Sequence, residues 1–274
     1  MYQDQIPITM MTATDFHSGT MVDQANIDIV LVGDSLAMTV LGHPDTTSVT
    51  MDEMIHHTKA VSKALKHSFL LADMPFGSYE ESPAIALRNA TRFIKEANAN
   101  AIKLEGGSRV HDQIKLISES GIPVFGHLGL TPQSINSSGG YHTIGKTAVE
   151  AKKLMNDVYS LQSAGCCAIV LECVPDKIAE LITSNSSVPI IGIGSGSKVN
   201  GQVLVYHDVL SMYNHPSPRF CKKFEDLNSA IAKALSCYRD EVVMKKFPEH
   251  EHSYRIKKEP LMEFVEYMNG RISM

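Results

Sequence analysis

Eight short apolar runs recur along the chain, each closed by a turn or a polar residue. They are ITMMTATD (8–15), DIVLVGDS (28–35), FLLADMP (69–75), AIKLEGG (101–107), PVFGHLGL (123–130), AIVLECV (168–174), VPIIGIGSG (188–196) and GQVLVYHD (201–208). Most lack apolar–polar alternation, which is how strands covered on both faces of a parallel sheet read. Helix-compatible segments separate most of them. Thr50 to Leu65 opens TMDE, a capping-box pattern with Thr50 at the cap and Glu53 three residues on. Ser82 to Ala99 begins Ser-Pro, with proline suited to the first turn. Ser108 to Ser120, Thr147 to Ala164, Pro175 to Ser184 and Asp226 to Lys246 also carry helical spacing. Repeated strand–helix alternation predicts an α/β fold, a (β/α)8 TIM barrel, with a doubly wound open sheet as the rival. The gap between the seventh and eighth runs is too short for a helix. No linker or low-complexity tract divides the 274 residues, so a single domain over 1–274 is expected, with 255–274 a helical extension.

In a parallel barrel all strand C-termini lie on one face, and that face carries the chemistry. The polar residues near those ends are Asp15, Asp34, Ser35, Asp73, Lys103, Glu105, His127, Glu172 and His207. A lone aspartate after a strand is most often a helix cap or turn residue. Several acids converging on one rim would repel one another and lose hydration unless a cation sat among them. Oxygen donors without a His/Cys cluster favour a hard ion, Mg2+ before Zn2+. Lys103 lies two residues before Glu105, so both side chains point into the barrel mouth. A cation there suits an anionic substrate, most simply a carboxylate. Glu172, between Leu171 and Cys173, reads as a carboxyl in apolar surroundings that could serve as a base, or as a structural glutamate. His127 reads equally as a rim histidine or a substrate contact. GIGSG (192–196) is not GxGxxG and reads as a tight loop giving a ligand room. EHEH (249–252) reads as solvated chain rather than a metal site.

Composition narrows the class. A net charge of −5 with no Lys/Arg-rich run argues against nucleic acid. No apolar run approaches the eighteen or so residues needed to cross a bilayer. Five cysteines without a CxxC pair read as a reduced intracellular chain.

Taken together, VGDSLAM (32–38), LLADMPF (70–76), IKLEGG (102–107), GHLGLTPQS (126–134), LECVP (171–175) and IGIGSG (191–196) resemble the ketopantoate hydroxymethyltransferase family. GGYHTIGK (139–146) and FPEHEHSY (247–254) extend the resemblance, which runs from about Ile8 to Tyr254. It implies a barrel of the phosphoenolpyruvate/pyruvate type that transfers a hydroxymethyl group from 5,10-methylenetetrahydrofolate to 3-methyl-2-oxobutanoate. The product would be 2-dehydropantoate, on the route to pantothenate and coenzyme A. It further implies that Asp34, Asp73 and Glu105 serve a magnesium ion, Glu105 through a bound water. Asp34, Ser35, Asp73, Lys103 and His127 would form the substrate pocket, and Glu172 would accept the C3 proton on the way to a Mg-stabilised enolate. The one-carbon unit would react either as the folate iminium or as released formaldehyde. A homo-oligomer, often a decamer in the family, is implied as well.

Three departures from the family pattern stand out. Thr14 replaces an aromatic, Ser195 stands where alanine is commoner, and only seven residues precede Ile8 where the family has a helix. The last leaves two expectations: a cytoplasmic protein with an uncapped barrel bottom, or a mitochondrial one with an upstream segment missing. The competing readings are another Mg2+-dependent 2-oxo-acid lyase of the same barrel group and a non-catalytic metabolite-binding relative.

Overall fold

A computed structural model describes residues 1–135, 140, 142–213 and 218–272. In chain order the elements begin β1 (Ile8–Thr12), α1 (Phe16–Gln24), β2 (Ile29–Val32), α2 (Leu36–Thr39), α3 (Met51–Ser62), β3 (Phe69–Asp73) and α4 (Pro83–Ala97). They continue with β4 (Ala101–Glu105), α5 (His111–Glu119), β5 (Val124–Gly129), α6 (Ala148–Ser163), β6 (Ala168–Glu172), α7 (Asp176–Ser184) and β7 (Ile190–Ile193). Last come β8 (Gly201–Leu204), α8 (Tyr206–Val209), α9 (Leu227–Val243) and α10 (Lys258–Ile272). By its internal contacts the chain divides into two compact units, Met1–Glu225 and Asp226–Met274.

Each of the eight apolar runs forms a strand, and all pair in parallel in sequence order. Pairing of β1 with β8 closes the sheet into a barrel, which rules out the open-sheet rival. The strands are apolar on both faces because both faces are covered. Ile29, Leu71, Phe125, Val170 and Ile191 fill the barrel interior, while Val30, Leu70, Ile102 and Ile169 face the helices. Alternate residues of one strand thus serve two cores, and the sequence shows no polar stripe.

The helix starts follow their caps. Thr50 and Glu53 form a reciprocal capping box at α3, and Thr147 and Glu150 form another at α6. Ser82 caps α4 ahead of Pro83. No helix separates β7 from β8, as the short gap requires. Helix α1 carries no apolar stripe that would have announced it: its buried positions are Ser18, Gly19, Val22 and Asp23. Among the described residues, no helix is long and apolar enough to cross a membrane.

Candidate active site

Register brings the polar residues together at the C-terminal ends of the strands. Asp73 on β3 is level with Lys103 on β4, and Glu105 on β4 is level with His127 on β5. Glu172 on β6 is level with Gly129. Asp34, just past β2, donates its backbone N–H to Asp73 Oδ2 at 3.2 Å. Asp34, Asp73, Lys103, Glu105 and His127 are all at most 5% exposed. Such a density of buried charge in one place requires pairing.

Much of that pairing is visible. Lys103 Nζ lies 2.6 Å from Asp73 Oδ1 and 3.8 Å from Glu105 Oε1. His127 Nδ1 lies 3.1 Å from Glu105 Oε1, and its Nε2 lies 3.2 Å from Glu172 Oε2. Burial alone would favour neutral Lys103, but Asp73, Glu105 and Asp34 outweigh it and raise its pKa. His127 behaves likewise: burial and Lys103 act to lower its pKa, yet Glu105 and Glu172 carry it up to about 9. Glu105 is held below its ordinary value despite burial, because His127 and Lys103 favour its charge. Asp34 is the exception. Burial first, then the charges of Asp73 and Glu105, push it well above the usual carboxylate range. Burial likewise raises Asp73, against the pull of Lys103.

The balance of charge explains these shifts. Four acids (Asp34, Asp73, Glu105, Glu172) face two cations (Lys103, His127), so full ionisation leaves two negative charges unmatched. A divalent cation would restore neutrality. Among the described residues, no group of three or more His, Cys, Asp or Glu side chains forms a ligand cage. Asp34 and Asp73 offer hard oxygen donors whose charge is not fully matched, and Mg2+ commonly takes one or two carboxylates and fills its remaining positions with water and substrate. The donor set therefore fits Mg2+.

Two residues that the sequence did not single out tie the acids together. Gln133 donates its backbone N–H to Glu105 Oε2 at 3.1 Å and its side-chain amide to Asp34 Oδ2 and the Met74 carbonyl, both at 2.9 Å. The hydroxyl of buried Tyr79 donates to Gln133 Oε1 at 2.5 Å and accepts from the Glu105 N–H at 3.2 Å. Gln133 lies within the quoted GHLGLTPQS, but no spacing marks it.

Other expectations are corrected. Glu172 does not sit in apolar surroundings: it meets His127 and keeps 15% of its side chain exposed. Asp15 is a helix cap, accepting from the N–H groups of His17 and Ser18 at the start of α1. His207 lies in α8 against Tyr206, and its buried Nδ1 has no hydrogen-bond partner. GIGSG leaves no free room above Gly194, where the Phe220 ring sits. Ser35 opens α2 without a side-chain capping bond and is half-buried, so its hydroxyl is available to a ligand. Gly129 is required by geometry: at φ +90°, a Cβ there would collide with the Glu172 carbonyl.

Residues 1–250 match the family model described as ketopantoate hydroxymethyltransferase. A relative named 3-methyl-2-oxobutanoate hydroxymethyltransferase from Campylobacter jejuni is 52% identical over 256 residues, covering 93% of both chains. One of the same name from Geobacillus thermodenitrificans is 45% identical over 273 residues, covering 100% of this chain and 97% of its own. Among solved structures, phosphonopyruvate hydrolase superposes with a TM-score of 0.59 at 13% identity, over 98% of this chain and 94% of that one. A 2,3-dimethylmalate lyase of the PEP mutase/isocitrate lyase superfamily gives 0.58 at 13% identity, over 99% and 95%. The structural likenesses speak for the barrel alone, while the sequence matches go further: the chain belongs to the ketopantoate hydroxymethyltransferase family.

Proposed function

We propose that the chain is a 3-methyl-2-oxobutanoate hydroxymethyltransferase that takes its one-carbon unit from 5,10-methylenetetrahydrofolate and forms 2-dehydropantoate. The observation that carries the site assignment is the buried cluster of Asp34, Asp73, Lys103, Glu105 and His127 at one end of the barrel. Asp34 and Asp73 would hold Mg2+, with Glu105 acting through water. When bound, the ion would polarise the keto group of the 2-oxo acid and offset the charge that develops as the C3 proton leaves.

The chain's own residues supply the rest. Lys103, held charged by three acids, and the free Ser35 hydroxyl bind the substrate carboxylate. Glu172 is the base: it is the acid of the cluster with side-chain exposure left, so an incoming C3–H can reach it. His127, pinned by Glu105 on one nitrogen, sets its other nitrogen 3.2 Å from the Glu172 carboxylate, close enough for charge to act though not aligned as a hydrogen bond. Once deprotonated, C3 bonds to the one-carbon unit; water supplies the hydroxyl oxygen, both carbon–nitrogen bonds to the folate break, and tetrahydrofolate leaves with the C3 proton and one proton of the water. Gln133 and Tyr79 keep Asp34 and Glu105 from spreading apart as charge moves. Exposed apolar residues such as Ile231, Leu235 and Phe264 support assembly with further copies of the chain.

The test separates the half-reactions. Purified protein with Mg2+ and 3-methyl-2-oxobutanoate should exchange the C3 proton for deuterium without folate, and should form 2-dehydropantoate once methylenetetrahydrofolate is added. Glu172→Gln should keep oxo-acid binding and slow exchange by about a hundredfold or more. Exchange at the native rate in that variant would remove Glu172 as the base. Absence of exchange and product in the native chain would sink the whole reading.

A further inference from the structure

The mouth of the barrel has two unlike halves. The strands from β2 to β5 present the charged cluster. On the β6–β8 side, Val170, Ile193 and Val203 belong to the apolar interior. Ile193 is level with Glu172, so the apolar half begins directly beside the base. Phe220, from the segment after α8, packs against this interior group. Its ring occupies the space over Gly194, the residue that follows Ile193. A Cβ built at Gly194 would meet Phe220 Cδ1 at 2.8 Å and Cγ at 3.0 Å. Gly194 has φ +64°, a conformation that glycine adopts freely and that an L side chain adopts rarely. The ring therefore depends on this glycine for its seat. A Cys221 N–H to Pro218 carbonyl bond closes the turn that carries the ring, and a Phe224 N–H to Val209 carbonyl bond ties the segment to α8, each 2.9 Å.

A partly buried aromatic ring on the apolar side of a mouth that is charged on the other has a use when the ligand is itself divided. A 2-oxo acid places its carboxylate and keto oxygens in the polar half. Its branched C3 substituents must then leave water against whatever apolar surface adjoins Glu172. Ile193 is level with Glu172, and Phe220 covers Gly194, the next residue along the chain. We propose that Phe220, seated on Gly194, is the wall against which the C3 branch packs, and so the residue that limits the size of that branch. This rests on the functional reading above and adds to it the determinant of substrate size.

A hydrophobic pocket discriminates one methylene by roughly 10- to 200-fold, so removal of its wall is measurable. The experiment follows C3 deuterium exchange by NMR in the full chain with Mg2+ and without folate. It compares 3-methyl-2-oxobutanoate with 3-methyl-2-oxopentanoate, whose branch is one methylene longer. In Phe220→Ala the ratio of kcat/KM values should move toward the longer acid by about tenfold or more, mainly through a lower KM for that acid. Phe220→Leu, which keeps more of the packing on the core, should move the ratio the same way by less. A ratio unchanged in both variants overturns the proposal. So does an equal loss on both acids, which would mean that the ring only supports the fold. A native chain that exchanges neither acid overturns instead the functional reading, before any variant is compared.

Discussion

Asp23 and Asp34 are both aspartates with little solvent exposure, 4% and 5%, but Asp34 lies far deeper in the protein, and the two have opposite electrostatic fates. Asp23 stands at the N-terminal end of the barrel, where α1 leads toward β2. It accepts three backbone N–H groups, from Lys66 at 3.1 Å, His67 at 3.0 Å and Ser68 at 2.9 Å. Burial works against its charge, but these donors prevail and lower its pKa to about 2. Asp34 stands at the C-terminal end among other acids, and burial and their charges raise its pKa well above the ordinary value. One end of the barrel uses a carboxylate to fasten the loop before β3. The other gathers carboxylates that burial and one another's charge drive toward the neutral form. Such tension is expected at a catalytic end and is out of place at a structural one.

The comparison breaks most visibly at Asp34. Asp34→Asn keeps the side chain's shape but removes a buried negative charge. Loss of outer-sphere partners alone costs metal sites about 10- to 100-fold, so if Asp34 holds Mg2+ as proposed, its loss should lower C3 exchange by at least about a hundredfold. Stability should hold or rise, by up to roughly 2 kcal/mol, because like-charge repulsion is relieved. Kinetics and thermal melting of one preparation test both halves. A variant that loses stability and retains exchange would reverse the roles assigned to the two ends.

Asp23→Ala should show the converse. Three N–H groups lose their acceptor, at about 1–3 kcal/mol for each one left unsatisfied. Lys66 and His67 are exposed, so water replaces part of what is lost, and a total of about 2 kcal/mol is expected. Denaturant titration reads that loss, while the folded fraction should exchange substrate at the native rate. A drop in exchange with unchanged stability would show that the lower end is coupled to the chemistry.

How much of this was legible in the sequence follows the same division between local and distant partners. The strands were readable because a fully covered strand is apolar throughout, as IVLV of β2 is. The helix starts at Thr50, Ser82 and Thr147 were readable because a cap and its partner lie three residues apart. Asp34, Asp73 and Glu105 stood out as acids that end apolar runs. Asp15 carried the same local signal and proved to be a cap, since nothing local separates an acid aimed into a barrel from one that turns back on its own helix. Helix α1 stayed hidden because it buries Ser18, Gly19 and Asp23 rather than a stripe of large apolar residues. Gln133 could not be found at all. Its acid partners Glu105 and Asp34 are 28 and 99 residues away, and only the closed barrel brings them within reach. Phe220 is a similar case, with its seat on Gly194 created by β7 and the segment after α8 meeting in space.

Acid titration sharpens the comparison by its smallest effect. A group whose folded pKa is depressed contributes stability above its unfolded pKa and loses it as pH falls through the folded value. For Asp23 that window runs from the ordinary value of 3.8 down to about 2. Asp34 has the opposite sign. Raised in the folded chain, it favours the folded state while protonated and penalises it as pH rises above the ordinary carboxylate value, so it adds nothing to an acid-side loss. In metal-free protein, the denaturation midpoint should therefore fall between pH 4 and 2 more steeply in the native chain than in Asp23→Asn. Asp15 and Glu53, whose pKa values are also lowered, contribute equally to both proteins and cancel from the difference. Parallel slopes would mean that the three N–H groups hold Asp23 no more tightly folded than unfolded, and the contrast between the two ends would then rest on Asp34 alone.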